Sequence, residues 1–270
     1  MKKRKSFKDR NERTPKRRES GVSGRKDGWI YGLHAVHAAL RNPARVHHRL
    51  LATEKVADEL SELAREIDIP PLEIVKRDDI DAVLPRDSVH QGVALLTALL
   101  EEVALDDICA ESASADHAIV VVLDRVTDPH NVGAVLRSAA VFGAAGVVVS
   151  ERGAPEATGT TAKAASGALD SVPLIRETNI SRALDALKEA GFWCAGLDGE
   201  AETTLAQAKL TGKTALVLGA EGAGLRRLVR ERCDFLVRIP APGPISSLNV
   251  SNAAAVALYE CARGAETTKS

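Results

Sequence analysis

Residues 118–142, AIVVVLDRVTDPHNVGAVLRSAAVF, indicate the fold class. Residues 119–123 form an apolar run that is typical of a buried strand, and residues 132–142 have the apolar spacing of a helix. A polar loop joins the two. Strand, loop and helix in this order are the start of a βαβ pattern.

The same alternation continues towards the C-terminus. It predicts strands at 146–149, 172–175, 192–197, 214–218 and 235–239, and helices at 160–169, 180–190, 225–231 and 247–262. Strands separated by helices indicate an α/β fold with a parallel sheet covered on both faces. Ligands of such sheets lie beyond the carboxyl ends of the strands. We therefore expect the chemistry in the loops that follow the strands.

The organisation of the rest of the chain follows from composition. Residues 29–100 predict a small αβ domain, and residues 101–117 are acidic, weakly periodic and predict a linker that can hold a helical turn. The main α/β domain is then 118–263, followed by a polar tail at 264–270. Residues 1–28 carry twelve Lys or Arg and four Asp or Glu, a charge of +8, whereas the remainder carries −9. This basic arm is too polar to fold. It is either a solvated tail or a segment that binds nucleic-acid backbone.

Composition also excludes several classes of protein. A content of 45% hydrophobic and 27% charged residues excludes a wholly disordered chain. No apolar run is long enough to span a membrane. The four cysteines are scattered and the seven histidines have no ligand-like spacing, so we expect no metal site, no disulfide framework and a reducing cytoplasm. Aromatic residues are only 3%, which argues against a base-stacking platform.

Three polar loops stand out as candidate sites. In the first, at 123–137, Arg137 is the only Lys, Arg, Asp or Glu between Asp128 and Glu151 and adjoins an apolar helix stripe. By itself it is explained by a structural ion pair, and Asn131 by a helix cap. In the second, at 216–225, Glu221 lies among three glycines that allow close approach of the backbone to a ligand. A carboxylate near a helix N-terminus is the plain alternative.

The third loop, at 239–252, joins three prolines to a crowded polar helix entrance. One helix cap needs one residue, but five polar side chains lie within two turns: Ser246, Ser247, Asn249, Ser251 and Asn252.

Together, and in this order, the three segments resemble the three motifs of the SpoU, or TrmH-like, branch of the SPOUT methyltransferases, over about residues 118–263. The segments Ile30-Tyr31-Gly32 and His90-Gln91-Gly92-Val93-Ala94 resemble the ribosomal-protein-like, RNA-binding domain of that family. This two-domain combination is similar to the enzymes that methylate the ribose 2′-hydroxyl of a guanosine in 23S ribosomal RNA.

The resemblance implies a fold, a cofactor and a partner. The fold is a parallel sheet with a C-terminal trefoil knot, the cofactor is S-adenosylmethionine, and the enzyme is a homodimer whose active site is completed across the interface. No metal is implied. The cofactor's adenine is expected against backbone groups of Gly219, Ile239 and Leu248, in a loop shaped by Pro240 and Gly243. The small face of the closing helix, Ala253, Ala254 and Ala257, permits close packing, although such a face is more often core.

The resemblance also assigns roles to five polar residues. Arg137 contacts the target phosphate and ribose hydroxyl and is the family's proposed base. Because a guanidinium is effectively never deprotonated, we expect it to orient the phosphate and stabilise the developing alkoxide. Asn131, Ser247 and Asn249 position the ribose and the loops, and Glu221 holds Arg137 or the first loop. The alternatives are a transfer-RNA ribose methyltransferase and a catalytically inactive RNA-binding or assembly factor.

Overall fold

The computed structural model describes residues 28–155, 157, 159–244 and 247–268, without the side chains of 265–268. The basic arm, except Gly28, and Ser246 therefore lie outside the described residues. The N-terminal elements are β1 (Trp29–Tyr31), α1 (Leu33–Arg41), β2 (His47–Ala52), α2 (Glu54–Leu63), β3 (Leu72–Ile74), α3 (Arg77–Val83) and β4 (Val93–Thr97). They form a four-stranded mixed sheet in the order β1-β4-β2-β3.

A six-stranded parallel sheet forms the second half, as the alternation predicts. Its elements, with the helix that precedes it, are α4 (Leu105–Glu111), β5 (Ala118–Asp124), α5 (Pro129–Val141), β6 (Gly146–Ser150), α6 (Gly159–Ala165), β7 (Leu174–Glu177), α7 (Ile180–Glu189), β8 (Trp193–Leu197), β9 (Lys213–Gly219), α8 (Arg227–Arg232), β10 (Phe235–Val237) and α9 (Val250–Thr268). The strand order is β10-β8-β9-β5-β6-β7. The central strands β5 and β9 are the most apolar because both faces of the sheet are covered.

The two faces of this sheet have separate cores. On one face, alternate residues of β5 and β9 pack with α5, α6 and α9. On the other face, the intervening residues pack with α4, α7 and α8. The carboxyl ends of β5 and β9 are neighbours in the pairing Asp124 to Gly219, so the loops that follow these strands start side by side.

The structure differs from the sequence-based expectation in several elements. The segment predicted as a linker contains α4, whose Leu105 and Ile108 are buried in the core under the parallel sheet. Helix α4 has too few apolar positions to give a recognisable helical period in the sequence. Burial of these positions nevertheless packs the helix against the parallel sheet. Helix α3 has no counterpart in the prediction, and β4 is shorter than the apolar run 92–100. Helix α9 continues to Thr268, so the predicted polar tail from 264 is mostly helical.

The two halves of the chain also share one core. Apolar residues of β1, α1, α2 and β4 belong to the same buried cluster as those of β5, α5 and α9. A buried ion pair reinforces the contact, because the Arg45 guanidinium binds the Asp170 carboxylate, with the Asn42 amide 3.0 Å from Asp170 Oδ1. Cutting the chain between the two halves would expose this shared core.

Candidate functional site

Three of the predicted site residues form one hydrogen-bonded cluster at the carboxyl edge of the parallel sheet. Asn131 Nδ2 donates to Glu221 Oε1 at 2.9 Å, and Asn249 Nδ2 donates to the same oxygen at 2.7 Å. Asn249 Nδ2 is also 3.0 Å from Asn131 Oδ1. One residue from each of the three loops thus meets the other two, and we call Asn131, Glu221 and Asn249 the polar cluster.

The first loop leaves Asn131 free for this cluster because another residue caps the helix. Asp128 accepts a hydrogen bond from the His130 backbone N–H at 3.0 Å, and Pro129 occupies the first turn of α5. Both are typical of a helix start. The explanation of Asn131 as the helix cap is therefore wrong.

The second loop is closed on itself, which explains its glycines. The Gly224 N–H donates to the Ala220 carbonyl at 2.8 Å, and Gly222 and Gly224 have φ angles of 75° and 63°. A Cβ on Gly219 would lie 2.1 Å from the Gly224 carbonyl carbon. Gly219 is thus required by the fold of its own loop, a reason that the sequence analysis did not give. The same fold leaves Glu221 at the exposed tip.

A buried carboxylate that sequence reasoning missed fastens this second loop. Asp124, the last residue of β5, is 0% exposed and accepts hydrogen bonds from Arg226 through Nε at 2.7 Å, Nη2 at 2.6 Å and the backbone N–H at 3.0 Å. The pair ties the end of the second loop to the start of the first. The sequence signal that could have identified Asp124 is an acidic residue at the end of a buried central strand.

The third loop contributes fewer internal contacts. Asn249 Oδ1 accepts hydrogen bonds from the Ser251 backbone N–H at 2.8 Å and from Ser251 Oγ at 2.6 Å. The side-chain oxygen of Asn249 therefore caps the start of α9, while its side-chain NH2 group donates to the polar cluster. Pro240 and Gly243 are exposed, and a Cβ on Gly243 would meet nothing within 4 Å. Ser247 is exposed, without a side-chain hydrogen bond to another described residue.

The apolar residues predicted to bind the cofactor lie in the second and third loops. Ile239 is partly buried against the core, and Gly219 is partly buried at the end of β9. Leu248, next to Asn249, is 48% exposed. An exposed leucine beside glycine-rich and proline-rich backbone suits a flat, partly apolar ligand.

Arg137 lies apart from the polar cluster. It is six residues beyond Asn131 on α5, which places it about 9 Å further along the axis and about a third of a turn around it. It is exposed and lines a cleft against the N-terminal half. Glu221 was predicted to hold either Arg137 or the first loop. The structure shows it in contact with the first loop, through Asn131.

The cysteines, which all lie within the described residues, offer no nucleophile for alternative chemistry. Burial raises the pKa of the Cys194, Cys233 and Cys261 thiols to about 12, so none is a ready nucleophile at neutral pH. All four cysteines are free. Among the described residues no cluster of His, Cys, Asp or Glu is placed to hold a metal ion. No helix in the same part of the chain is long and apolar enough to cross a bilayer.

Comparison with known proteins agrees with this arrangement. Residues 118–259 match the SpoU rRNA Methylase family, and residues 29–103 match the domain described as RNA 2′-O ribose methyltransferase substrate binding. The 23S rRNA (guanosine-2′-O-)-methyltransferase RlmB of Vibrio vulnificus is 42% identical over 241 residues, which cover 87% of this chain and 96% of that protein.

Solved structures show the same fold. The SpoU methyltransferase AviRb from Streptomyces viridochromogenes, in complex with the cofactor AdoMet, superposes with a TM-score of 0.74 at 26% identity and covers 88% of this chain and 90% of its own. A structure described for 2-OH methylation of C/U34 on tRNA has a TM-score of 0.51 at 28% identity, and covers 57% of this chain and 99% of its own. With the motif residues in three adjoining loops and these matches over both halves, the chain belongs to the SpoU rRNA methylase family of RNA 2′-O-ribose methyltransferases.

Proposed function

We propose that this protein transfers the methyl group of S-adenosylmethionine to the ribose 2′-hydroxyl of a guanosine in 23S ribosomal RNA. The observation that carries the proposal is the polar cluster, in which one side chain from each motif loop is held by the others. The presence of the substrate-binding half, which the curated 23S ribosomal RNA relatives also span, favours ribosomal over transfer RNA.

The residues present fit the cofactor. Exposed Leu248 offers an apolar surface for a purine, and the exposed glycine-rich turn at 221–224 presents backbone groups to solvent. S-adenosylmethionine supplies an electrophilic methyl group on sulfur. Ile239 would complete the apolar wall, with Pro240 and Gly243 shaping the loop that closes it. The trefoil knot stays a prediction of the family resemblance.

The chemistry requires the ribose oxygen to form a bond to the methyl carbon while the carbon–sulfur bond breaks and the hydroxyl proton leaves. Arg137 would orient the adjacent phosphate and stabilise charge on the attacking oxygen. Asn131, Asn249 and Ser247 would hold the ribose and the loops. Glu221 would act as a positioning residue through its two amide partners, since charge-assisted hydrogen bonds fix geometry well.

We further propose that the enzyme is a homodimer. Val141 is 71% exposed and Tyr259 is 54% exposed, and the Phe142 and Tyr259 rings are 6.1 Å apart, so these residues form an apolar patch where the end of α5 meets the middle of α9. Val256 extends it. Ala254 and Ala257 are fully buried in the protomer, so this outer patch is the better candidate for the interface. The distance of Arg137 from the polar cluster agrees with a site completed by a second copy.

Incubation of the full-length protein with labelled S-adenosylmethionine tests the substrate assignment. Transcripts of 23S ribosomal RNA and bulk transfer RNA are offered separately, and the product is digested and mapped by mass spectrometry. We expect 2′-O-methylguanosine in ribosomal RNA only. Methylated transfer RNA would establish the alternative, and RNA binding without cofactor binding would identify an inactive assembly factor. The cytoplasm is the compartment that this substrate implies.

A further inference from the structure

A second polar site adjoins α5 at Arg137, apart from the polar cluster. It is a cleft of about 270 Å³ between the two halves of the chain, and we call it the interdomain cleft. The residues that line it are Tyr31, Gly32, His34, Ala35, Gln91, Arg137, Lys163 and Ser166. The cationic side chains of Arg137 and Lys163 are among them, and no carboxylate is.

Close packing of two helices sets the spacing of the cations. A Cβ on Gly133 would lie 2.4 Å from Ala164 Cβ and 2.9 Å from the Thr161 carbonyl, so α5 and α6 touch at this glycine. Arg137 follows Gly133 by one turn of α5, and Lys163 lies on α6 beside Ala164. Neither cation has an ion-pair or hydrogen-bond partner among the described residues. Two unpaired cations held in one cleft favour an anionic ligand.

The opposite wall is built from the two N-terminal segments that the sequence analysis singled out. The Gln91 side-chain carbonyl accepts a hydrogen bond from the Leu33 backbone N–H at 3.2 Å, which joins the second segment to the start of α1. Gln91 itself has a φ of 56°, an uncommon conformation for a residue with a side chain. Because its oxygen serves α1, its NH2 group is the end left for a ligand.

Contacts to the catalytic half fix this wall against the cations. A Cβ on Gly32 would lie 3.7 Å from Lys163 Cγ, so the lysine stem passes directly over the start of α1. The Tyr31 hydroxyl is 3.4 Å from Thr160 Oγ1 at the start of α6. The cleft is therefore a fixed feature of the shared core rather than a gap between loosely joined domains.

We propose that the interdomain cleft binds the ribose-phosphate backbone of the RNA strand next to the target nucleotide. Lys163 binds a phosphate neighbouring the one oriented by Arg137, and the Gln91 amide donates to the ribose or base between them. This assignment rests on the proposed function and adds two RNA-binding residues to it. The volume lies just below the range of about 300–1,000 Å³ that is typical of sites for whole small molecules, which suits a segment of backbone.

Removal of the Lys163 charge tests the assignment. Lys163→Gln removes the charge and keeps most of the aliphatic stem. Lys209→Gln is its matched control, since exposed Lys209 lies before β9 and does not line the interdomain cleft. RNA affinity is measured by titration of the full-length protein at several salt concentrations. For Lys163→Gln we expect about tenfold weaker binding, the scale of one lost charged contact. The slope of log K against log salt should fall by about 0.7, the contribution of one single-stranded phosphate.

Folding and cofactor affinity serve as the other readouts. Both variants should have the melting temperature of the wild type and bind S-adenosylmethionine with the same affinity. Gln91→Gly, which suits the positive φ, should weaken RNA binding without changing the salt slope. If Lys163→Gln and Lys209→Gln bind RNA alike, the cleft assignment is overturned. Because the titration uses binding and not turnover, failure to methylate 23S ribosomal RNA would overturn the proposed function separately.

Discussion

The two sides of α5 present polar residues in opposite states. At its start, Asn131 belongs to the polar cluster, where each of the three side chains has partners from another loop. In its middle, Arg137 faces the interdomain cleft beside Lys163 without a described partner. Helix α5 therefore carries one member of a satisfied network, Asn131, and one member of an unpaired cation pair, Arg137, about two turns apart.

This difference separates two tasks. Hydrogen bonds that are already made hold the three loops in one arrangement before any ligand arrives, which lowers the ordering cost of binding. Cations without partners contribute little to folding and remain available to an anionic ligand. We therefore expect substitutions on the cluster side to affect loop order and cofactor binding, and those on the cleft side to affect RNA.

Arg137→Ala should have the largest effect. Turnover should fall by about two orders of magnitude or more, the usual scale for losing a preorganised electrostatic contact. Folding and cofactor affinity should be nearly unchanged, because no described residue depends on Arg137. Arg137→Lys should not restore activity, since a point charge does not reproduce the planar guanidinium. A variant that melts early yet turns over normally at low temperature would assign Arg137 to the scaffold.

Asp124→Asn should chiefly lower stability. The amide keeps one acceptor but opposes the Arg226 guanidinium with its NH2 group, at a position where the carboxylate is fully buried and the guanidinium is 41% exposed. We expect a loss of about 2 kcal/mol in the free energy of unfolding, measured by denaturant titration. Glu73→Gln is the control, because the Arg49–Glu73 pair has similar geometry, 2.6 and 2.7 Å, but is exposed. Equal losses in both variants would remove the special role of Asp124.

Glu221→Ala should weaken cofactor binding by about tenfold, since two amides lose a charged acceptor and the three loops lose their common partner. Glu221→Gln retains the accepting oxygen and should lose less. Calorimetric titration of Asn131→Ala, Glu221→Ala and the double variant checks the network. Coupled residues give a double variant that is weakened by less than the sum of the single effects. Strict additivity would argue against a single polar cluster.

The smallest expected effect is a pH dependence of the protein's stability that arises from His90, next to Gln91 in the wall of the interdomain cleft. Burial lowers the pKa of His90, an effect that nearby Asp81 opposes and Arg77 and Lys163 assist. The folded protein therefore favours neutral His90, whose Nδ1 accepts the Gly92 N–H at 3.1 Å. The stability that neutral His90 contributes to the folded protein is fully present above the ordinary histidine pKa of about 6.5. It is lost as the pH falls through the lower pKa that His90 has in the folded protein.

Unfolding curves of the wild type and His90→Gln between pH 8 and 5 measure this contribution. The wild type should lose more stability on acidification than the variant. Burial also lowers the pKa of His37, which adds to the loss in both proteins. Glu177, in the catalytic half, acts oppositely, because burial raises its pKa and its contribution grows as pH falls. Parallel curves for the two proteins would show that His90 has no part in the effect.

Elements that depend on local pattern could be predicted from the order of the amino acids. Apolar runs and helical spacing identified every strand of the parallel sheet and located the three loops, because buried strands and amphipathic helices are periodic along the chain. The pattern was too short to reveal α3 and α4. Motif composition selected Asn131, Glu221 and Asn249, and the tertiary structure brings these three together.

Contacts between residues that are far apart in the chain could not be predicted in this way. Asp124 meets Arg226 over 102 residues, and Arg45 meets Asp170 over 125, contacts that no periodicity encodes. The same holds for the interdomain cleft, where Gln91, Arg137 and Lys163 come from three distant segments. Such contacts depend on strand order and on helix approach at Gly133, and these are fixed by the packing of the shared core rather than by any local sequence.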